Sequence, residues 1–250
     1  MVTVLAEIAP VVNSTGDDPD LSPGDLVCDT GALNAEGDPE CTLRAALQEA
    51  NGFGDADVTF AIPVTDPGYD GERWTIALGT ALPAVTATAR IDGTSQPGWV
   101  AVPVVAVDGG ALASGVLVDL GGTGSWVTGL QVQNGPSYGI RVTASNVRIA
   151  DGVITGNGGA GVAVVTVSTT PVDVAVTGNA ISGNGGLGVD LGGDGITEND
   201  SLDVDSGPND LLNAPVISTA LERFGTVTVD YLLDVPAGDR KSTRLNSSHT

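Results

Sequence analysis

The sequence contains very few positively charged residues. Of its 250 residues only nine are Lys or Arg, against 31 Asp or Glu, and the formal net charge is −22. Proteins that bind nucleic acid neutralise phosphates with Lys and Arg, and anionic membrane surfaces attract the same residues. The composition therefore argues against nucleic-acid binding and against binding to anionic lipid.

Long apolar runs, histidines and further cysteines are also missing. No stretch of about 18 apolar residues occurs, so no membrane-spanning helix is expected. With one histidine and two cysteines, a zinc site is not expected. Cys28 and Cys41 lie in a polar segment rich in Asp and Pro, which favours a disulfide in an exported, extracellular or cell-surface protein. That bond would contribute roughly 3 kcal/mol by closing its loop; two free thiols are the alternative.

The two ends of the chain differ from the rest. The start, MVTVLAEIAPVV, is mildly apolar but lacks the positive region of a signal peptide. The last twelve residues, DRKSTRLNSSHT, hold the only Lys and the only His. Their reverse translation corresponds to a sequencing adapter. We therefore interpret residues 239–250 as an artefact and expect the natural chain to continue past Gly238.

One short helix is predicted near the N-terminus, after an acidic loop at 13–41. Thr42 is a suitable N-cap, and Asn51-Gly52 supplies a stop signal. One helical face is apolar: Leu43, Ala46, Leu47 and Ala50. We expect this helix to cap the first coil of the repeat described next, because the open end of a solenoid must be covered.

A repeat is evident from about residue 115. Gly followed by Val or Ile recurs at Gly115, Gly139, Gly161 and Gly188, with spacings of 24, 22 and 27 residues. Glycine and β-branched residues dominate each unit, so no helix fits inside it. Such a period indicates a solenoid. The predicted fold class is all-β, a parallel β-helix with three short strands per coil, in which equivalent residues lie about 4.8 Å apart.

Aligning the repeats assigns residues to columns along the solenoid axis. Four interior columns are predicted: Val116, Ile140, Val162 and Val189; Val118, Val142, Val164 and Leu191; Val127, Ile149 and Val176; Val132, Ile154 and Ile181. Arg141, Ala163 and Asp190 alternate with interior residues and are expected to face outward. Asn157 and Asn184, each followed by Gly-Gly, are expected to form a short amide stack.

The glycine-rich segment ISGNGGLGVDLGG has three possible roles. A phosphate-binding loop needs a following helix and usually a lysine, and neither is present. A calcium-binding nonapeptide is nearly matched once, by Gly185 to Gly193, but the preceding coil has Ala163 where that motif needs Asp. The favoured interpretation is that these glycines form the sharp turns of the coil, where positive φ is needed.

These patterns divide the chain into five segments. Residues 1–52 form the acidic loop and capping helix, 53–192 the β-helix, and 193–213 an acidic terminal loop. Residues 214–238 contain short alternating runs, which predict the start of a truncated β module. Residues 239–250 are the interpreted artefact.

Two regions together resemble a known family. The segment NSTGDDPD…ECTLRAALQEANG is similar to the CSLREA domain of secreted bacterial proteins, with Thr42 in place of Ser and Ala45 in place of Glu. Residues 179–217 resemble the parallel β-helices that commonly follow that domain. The resemblance implies an exported, right-handed β-helix of the pectin-lyase-like class, often part of a larger surface protein. It implies no catalytic residues.

Two functions remain open at this stage. A polysaccharide lyase needs a basic catalytic residue, and the coils contain only Arg90, Arg141 and Arg148. A glycoside hydrolase needs two carboxyl groups about 5–9.5 Å apart, and the candidate carboxylates do not occupy neighbouring columns: Asp119, Asp151, Asp173 and Asp190. Aromatic platforms are few. The leading hypothesis is therefore a non-catalytic extracellular scaffold, adhesin-like or envelope-associated, that contacts polysaccharide or cell-envelope components; the enzyme is the alternative.

The terminal acidic loop is a candidate calcium site. Seven acids and no basic residue lie between positions 190 and 210. Such carboxylates repel one another, and calcium takes six to eight oxygen ligands from flexible loops. The predicted ligands are Asp190, Asp194, Asp200, Asp203, Asp205 and Asp210. A solvated acidic loop is the alternative. A weaker second candidate is the N-terminal group Asp17, Asp18, Asp20, Asp25 and Asp29.

Overall fold

The computed structural model describes residues 9–234. Nearly all of its regular structure is β, with one α-helix, α1 (Leu43–Phe53). Fifteen short strands pair in parallel and build three sheets. Sheet A contains β1 (Val11–Val12), β2 (Asp55–Phe60), β4 (Thr88–Asp92), β7 (Trp126–Thr128), β10 (Arg148–Ala150) and β13 (Ala175–Thr177).

Sheet B contains β3 (Trp74–Ala77), β5 (Val105–Asp108), β8 (Leu130–Gln133), β11 (Val153–Thr155) and β14 (Ala180–Ser182). Sheet C contains β6 (Val118–Leu120), β9 (Ile140–Val142), β12 (Val162–Val164) and β15 (Val189–Leu191). From β4 onward the chain visits sheets A, B and C in turn, once per coil. This topology is consistent with the predicted parallel β-helix.

The register confirms most of the predicted interior columns. Ile149 pairs with Val127 and Val176, and Ile154 pairs with Val132 and Ile181. Most of these side chains are buried and form one continuous core along the axis. Burying one Val, Leu or Ile side chain contributes about 1.5–3 kcal/mol. Stacked apolar columns therefore stabilise coils that have only three or four residues per strand.

The first coil of the aligned repeat was misplaced by two residues. Val118, not Val116, pairs with Ile140, and Leu120, not Val118, pairs with Val142. A shift of two residues keeps the same side chains inward, so hydrophobic alternation alone could not detect it. Its consequence is local: Asp119 now lies beside Arg141 in the outward column of sheet C.

Ala163 was expected on an exposed face, and this was wrong. Its position does alternate with buried Val162 and Val164, but Ala163 itself is fully buried. The chain after β15 folds back across this face, and the Tyr138 hydroxyl donates to the Gly193 carbonyl over 3.0 Å. Gly193 packs so closely that a Cβ there would lie 2.5 Å from Val165 Cγ1. The predicted interior position of Val189 was also wrong: it is 39% exposed, because β15 is the edge strand of sheet C and, in the described chain, no further coil packs beyond it in that sheet.

The asparagine stack forms as predicted. Asn157 Nδ2 donates to Asn184 Oδ1 over 2.9 Å, and Asn157 Oδ1 accepts from the backbone N–H of Gly135. Asn184 Nδ2 donates to the carbonyl of Ile154. The chain turns here between sheets B and C, and strand pairing leaves some of its backbone N–H and C=O groups without hydrogen-bond partners. The asparagine amides supply those partners.

Helix α1 covers the N-terminal end of the core. The Thr42 side chain accepts from Ala45 N–H, which confirms the predicted N-cap, and the predicted apolar face is buried. The helix runs to Phe53, and Gly54 ends it with φ 108°. The predicted stop at Asn51-Gly52 is therefore two residues early, because the left-handed cap is Gly54, whose N–H donates to the Ala50 carbonyl. The Asn51 side chain instead contacts Ala84 and Thr86.

The acidic loop before α1 is closed by a disulfide between Cys28 and Cys41, as predicted. Asn13, beside edge strand β1, accepts from Cys41 N–H and donates to the Pro39 carbonyl. The loop thereby covers the start of sheet A, which would otherwise expose unpaired backbone groups.

Beyond the last coil the chain forms a separate antiparallel hairpin, β16 (Val216–Arg223) and β17 (Thr226–Leu232). Every residue of both strands is exposed. Residues 239–250 lie outside the described part of the chain. Within the described part, no helix is both long and apolar enough to span a bilayer.

Candidate metal site

Three aspartates converge in the loop between the last coil and the hairpin. Asp200, Asp203 and Asp205 each offer a carboxylate oxygen, and these oxygens lie within 4.8 Å of one another. All three residues are half-buried. Hard divalent cations such as Ca²⁺ are bound by carboxylate and carbonyl oxygens of this kind. Of the six predicted ligands, these are the three that the fold brings together.

Two asparagines hold this loop closed. Asn199 and Ala214 are joined by two hydrogen bonds, from Asn199 Nδ2 to the Ala214 carbonyl and from Ala214 N–H to Asn199 Oδ1, at 2.7 and 2.8 Å. The Asn213 side chain accepts from Asp200 N–H and donates to the Asp200 carbonyl, at 2.9 and 2.8 Å. The three aspartates therefore belong to a loop whose two ends are joined by hydrogen bonds between asparagine side chains and the backbone.

Each aspartate uses only part of its hydrogen-bonding capacity within the loop. Asp200 accepts from Val204 N–H at 3.2 Å, and Asp203 accepts from Asn213 N–H at 2.8 Å. Asp205 Oδ1 is shielded from solvent and has no hydrogen-bond partner. Desolvation, followed by repulsion from Asp200 and Asp203, raises the pKa of Asp205 above its ordinary value. A cation would offset both effects.

The other predicted ligands lie outside this group. Asp190 is 5% exposed, and its carboxylate accepts from the backbone N–H groups of Gly193 and Gly195. It therefore holds the turn that follows β15. Asp194 is exposed and folds back over Gly192, and Asp210 is exposed at φ 57° in a short 3-10 turn, Pro208–Leu211.

The N-terminal acids are used differently. Asp17 forms a bidentate pair with Arg44, at 2.8 and 2.9 Å, and Arg44 also donates to the carbonyls of Thr80 and Ala81. The Asp20 carboxylate accepts from the N–H groups of Ser22 and Asp29. These carboxylates serve the fold of the loop, so the second calcium hypothesis loses two of its five residues.

Two further acids of the N-terminal region are buried. Glu49, on α1, is 1% exposed and accepts from the N–H groups of Gly24 and Leu26. Glu40 is 8% exposed and accepts from the hydroxyls of Ser14 and Thr30. Sequence reasoning did not identify them, because their partners are 10 to 26 residues away along the chain.

The charged side chains on the outward face of sheet C, which an enzyme could use for catalysis, also form structural contacts. Arg141 forms a bidentate pair with Asp119, from Nε to Oδ1 at 2.9 Å and from Nη2 to Oδ2. Hydrogen bonding to Asp119 raises the pKa of Arg141, and the guanidinium is held in this ion pair. Asp190, two coils further along the same column, is occupied by backbone N–H groups.

Sequence reasoning missed Asn199 and Asn213, the residues that close the loop. The available signal was their position, since the two asparagines flank the run DSLDVD. Asparagine is common where a side chain must replace a backbone partner in a turn. That signal is not specific, and the long-range pairing of Asn199 with Ala214 is visible only in the folded chain.

The three parallel sheets and their shared core define a mainly-β protein of stacked parallel coils. This chain belongs to a family described as a protein of unknown function, DUF1565, whose profile matches residues 103–243. The match covers more than half of the chain, including the coils from β5 onward, the acidic loop and the hairpin. No curated protein and no solved structure matches the chain.

Proposed function

We propose that this protein is a non-catalytic extracellular or cell-surface scaffold, adhesin-like or envelope-associated, built on a right-handed parallel β-helix. The observation that carries the proposal is the outward column of sheet C. There Asp119 and Arg141 neutralise each other, Ala163 is covered, and Asp190 binds the following turn. The polar groups that could perform acid–base chemistry act instead as structural contacts.

We propose the right-handed sense of the coil on a general physical basis. Connections between parallel strands of one sheet are right-handed in about 98% of cases, because twisted strands pack back onto the sheet in that way. A pectin-lyase-like coil behind a CSLREA-like N-terminal segment has this handedness. The Cys28–Cys41 bond and the Thr42 cap support the assignment of the N-terminal segment as CSLREA-like.

Export is supported by the disulfide. Disulfides persist in oxidising compartments and are rare in the cytosol. The acidic composition, with a formal charge of −22, fits a surface that stays soluble outside the cell and repels polyanions. The partners we propose are therefore extracellular polysaccharide or cell-envelope components, with nucleic acid excluded on charge.

We also propose that the terminal acidic loop binds calcium as a structural ion. Asp200, Asp203 and Asp205 would provide three oxygen ligands, and backbone carbonyls and water would supply the rest. The support is the unsatisfied Asp205 Oδ1 together with the mutual repulsion of the three carboxylates. Bound calcium would hold the loop that joins the last coil to the hairpin.

The test of the scaffold is a search for bond cleavage. The purified chain is incubated with neutral and acidic polysaccharides, with and without calcium, and new reducing ends and unsaturated products are measured. We expect neither to appear above a heat-treated control. Turnover that disappears in Arg141→Ala or Asp190→Ala would establish a lyase or hydrolase and overturn the proposal.

A further inference from the structure

The outward face of sheet A carries an aromatic side chain between two arginines. The strand register places Asp57, Arg90, Trp126 and Arg148 at the same position of four successive strands, β2, β4, β7 and β10. Equivalent positions of neighbouring coils lie about 4.8 Å apart. Residues that are 22 to 36 positions apart along the chain therefore form one contiguous strip.

The strip is accessible to a ligand. Trp126 is half-exposed and Arg148 is exposed, while the residues between outward positions, such as Val127 and Ile149, are buried in the core. A second outward column runs beside it and contains Asp92 and Thr128. Trp126 therefore lies on the outward face of sheet A, with polar side chains at neighbouring positions of the same sheet.

The charges on this face are mostly compensated locally. Arg90 donates to Asp55 at 2.8 Å and also pairs with Asp57. Desolvation, then repulsion from Asp55 and Asp92, raises the pKa of Asp57. Three carboxylates, those of Asp55, Asp57 and Asp92, lie near only two guanidiniums on this face, so its charge does not favour a polyanionic ligand.

A half-exposed tryptophan combined with these polar groups suits one class of ligand. The C–H face of a pyranose ring packs against an indole, and its hydroxyls both donate and accept hydrogen bonds. Thr128 can accept from a sugar hydroxyl, as can Asp92 Oδ2, since Asp92 Oδ1 accepts from Thr94. The planar guanidinium of Arg148 can donate to the sugar hydroxyls. We propose that the strip formed by Arg90, Trp126 and Arg148 binds a neutral polysaccharide chain. This inference rests on the proposed function as a non-catalytic scaffold.

The experiment is a depletion assay with the full chain. Protein is mixed with insoluble cellulose, mannan and β-1,3-glucan, with a polygalacturonate gel as the acidic comparison, and unbound protein is measured. We expect retention on at least one neutral polymer. Trp126→Ala should weaken binding at least about tenfold, which corresponds to about 1.4 kcal/mol. Arg148→Ala should weaken it several-fold.

Matched variants separate binding from folding. Trp99 is also half-exposed but lies in a loop between β4 and β5, so Trp99→Ala should bind like the unchanged protein. Trp126→Phe keeps an aromatic ring and should retain part of the affinity even if Trp126→Ala folds poorly. Thermal unfolding of each variant accompanies the assay.

Several outcomes would overturn this inference. They are no retention on any neutral polymer, retention on polygalacturonate alone, or equal retention of Trp126→Ala and the unchanged protein. Release of new reducing ends during the assay is a different result, because it contradicts the non-catalytic scaffold while leaving the position of the binding strip intact.

Discussion

Acidic segments cover both ends of the stacked coils, yet they resolve their charge in different ways. At the N-terminal end, Asp17 pairs with Arg44, and Glu49 accepts from two backbone N–H groups. At the C-terminal end, Asp200, Asp203 and Asp205 converge in a segment, residues 190–210, that contains no Lys or Arg, and Asp205 Oδ1 has no hydrogen-bond partner. Acidic composition alone therefore does not predict a metal site. The prediction depends on whether the protein's own donors neutralise the carboxylates.

The largest expected effect is at the N-terminal end. Arg44→Met removes the cation that is shared by Asp17 and the Thr80 and Ala81 carbonyls, all close to the α1 cap. Breaking one partner of a largely buried pair costs about 3–5 kcal/mol. Urea unfolding should show that loss. Arg223→Met, in the exposed hairpin, serves as the control, and equal effects of the two changes would contradict the role assigned to Arg44.

The disulfide should contribute somewhat less. Replacing Cys28 and Cys41 together by Ala opens a loop with a sequence separation of 13. The chain-entropy estimate for such a loop is about 3 kcal/mol. The difference in thermal unfolding between the oxidised, unchanged protein and the double variant checks this value. A double variant as stable as the oxidised protein would mean that Asn13 and α1 hold the loop without the bond.

Calcium should act on the C-terminal end alone. If the three aspartates bind it, calcium at a hundred times its Kd stabilises the fold by about 2.7 kcal/mol, and EDTA reverses the gain. Asp203→Asn with Asp205→Asn should abolish the rise in melting temperature. Asp18→Asn with Asp25→Asn, in the N-terminal loop, should leave it unchanged.

Calorimetry decides the calcium hypothesis. Absence of saturable binding at millimolar calcium would show that the C-terminal group is a solvated acidic loop. A thermal shift that survives in the Asp203→Asn, Asp205→Asn variant would instead place the ion elsewhere.

The smallest expected effect concerns pH without calcium. The pKa of Asp205 is raised above 3.8 in the fold, so the folded state holds this proton more tightly than the unfolded state does. Its ionisation therefore opposes folding above the raised pKa, and the penalty fades as pH falls through it. Asp205→Asn should melt above the unchanged protein at pH 7, and the difference should shrink on acidification. A constant difference across this range would contradict the assigned cause.

Local pattern was a reliable guide in the later coils. Gly139, Gly161 and Gly188 marked the register correctly, because each is followed by a strand whose interior residues stack on the next coil. Gly115 misled the alignment, since β6 begins three residues after it and not one. The register error was two residues. An even shift keeps the same side chains facing inward, so the hydrophobic pattern is the same in both registers.

The candidate site was predicted only in part. The run from Asp200 to Asp205 carries its own signal, an excess of carboxylates that no neighbouring Lys or Arg offsets. Asp190 was included on the same composition, but the fold directs its carboxylate to two backbone N–H groups. Nothing local distinguishes these two uses of an aspartate.

Features that a local motif, the repeat or the cysteine count specifies could be inferred from the residues alone: the strand period, the Thr42 cap, the Cys28–Cys41 pair and the Asn157–Asn184 stack. Contacts between distant segments required the folded chain. Arg44 contacts Asp17 across 27 residues, Asn199 contacts Ala214 across 15, and Tyr138 contacts Gly193 across 55. The physical reason is that coil stacking makes neighbours of residues whose separation varies with every loop, so their pairing is decided by packing and not by spacing.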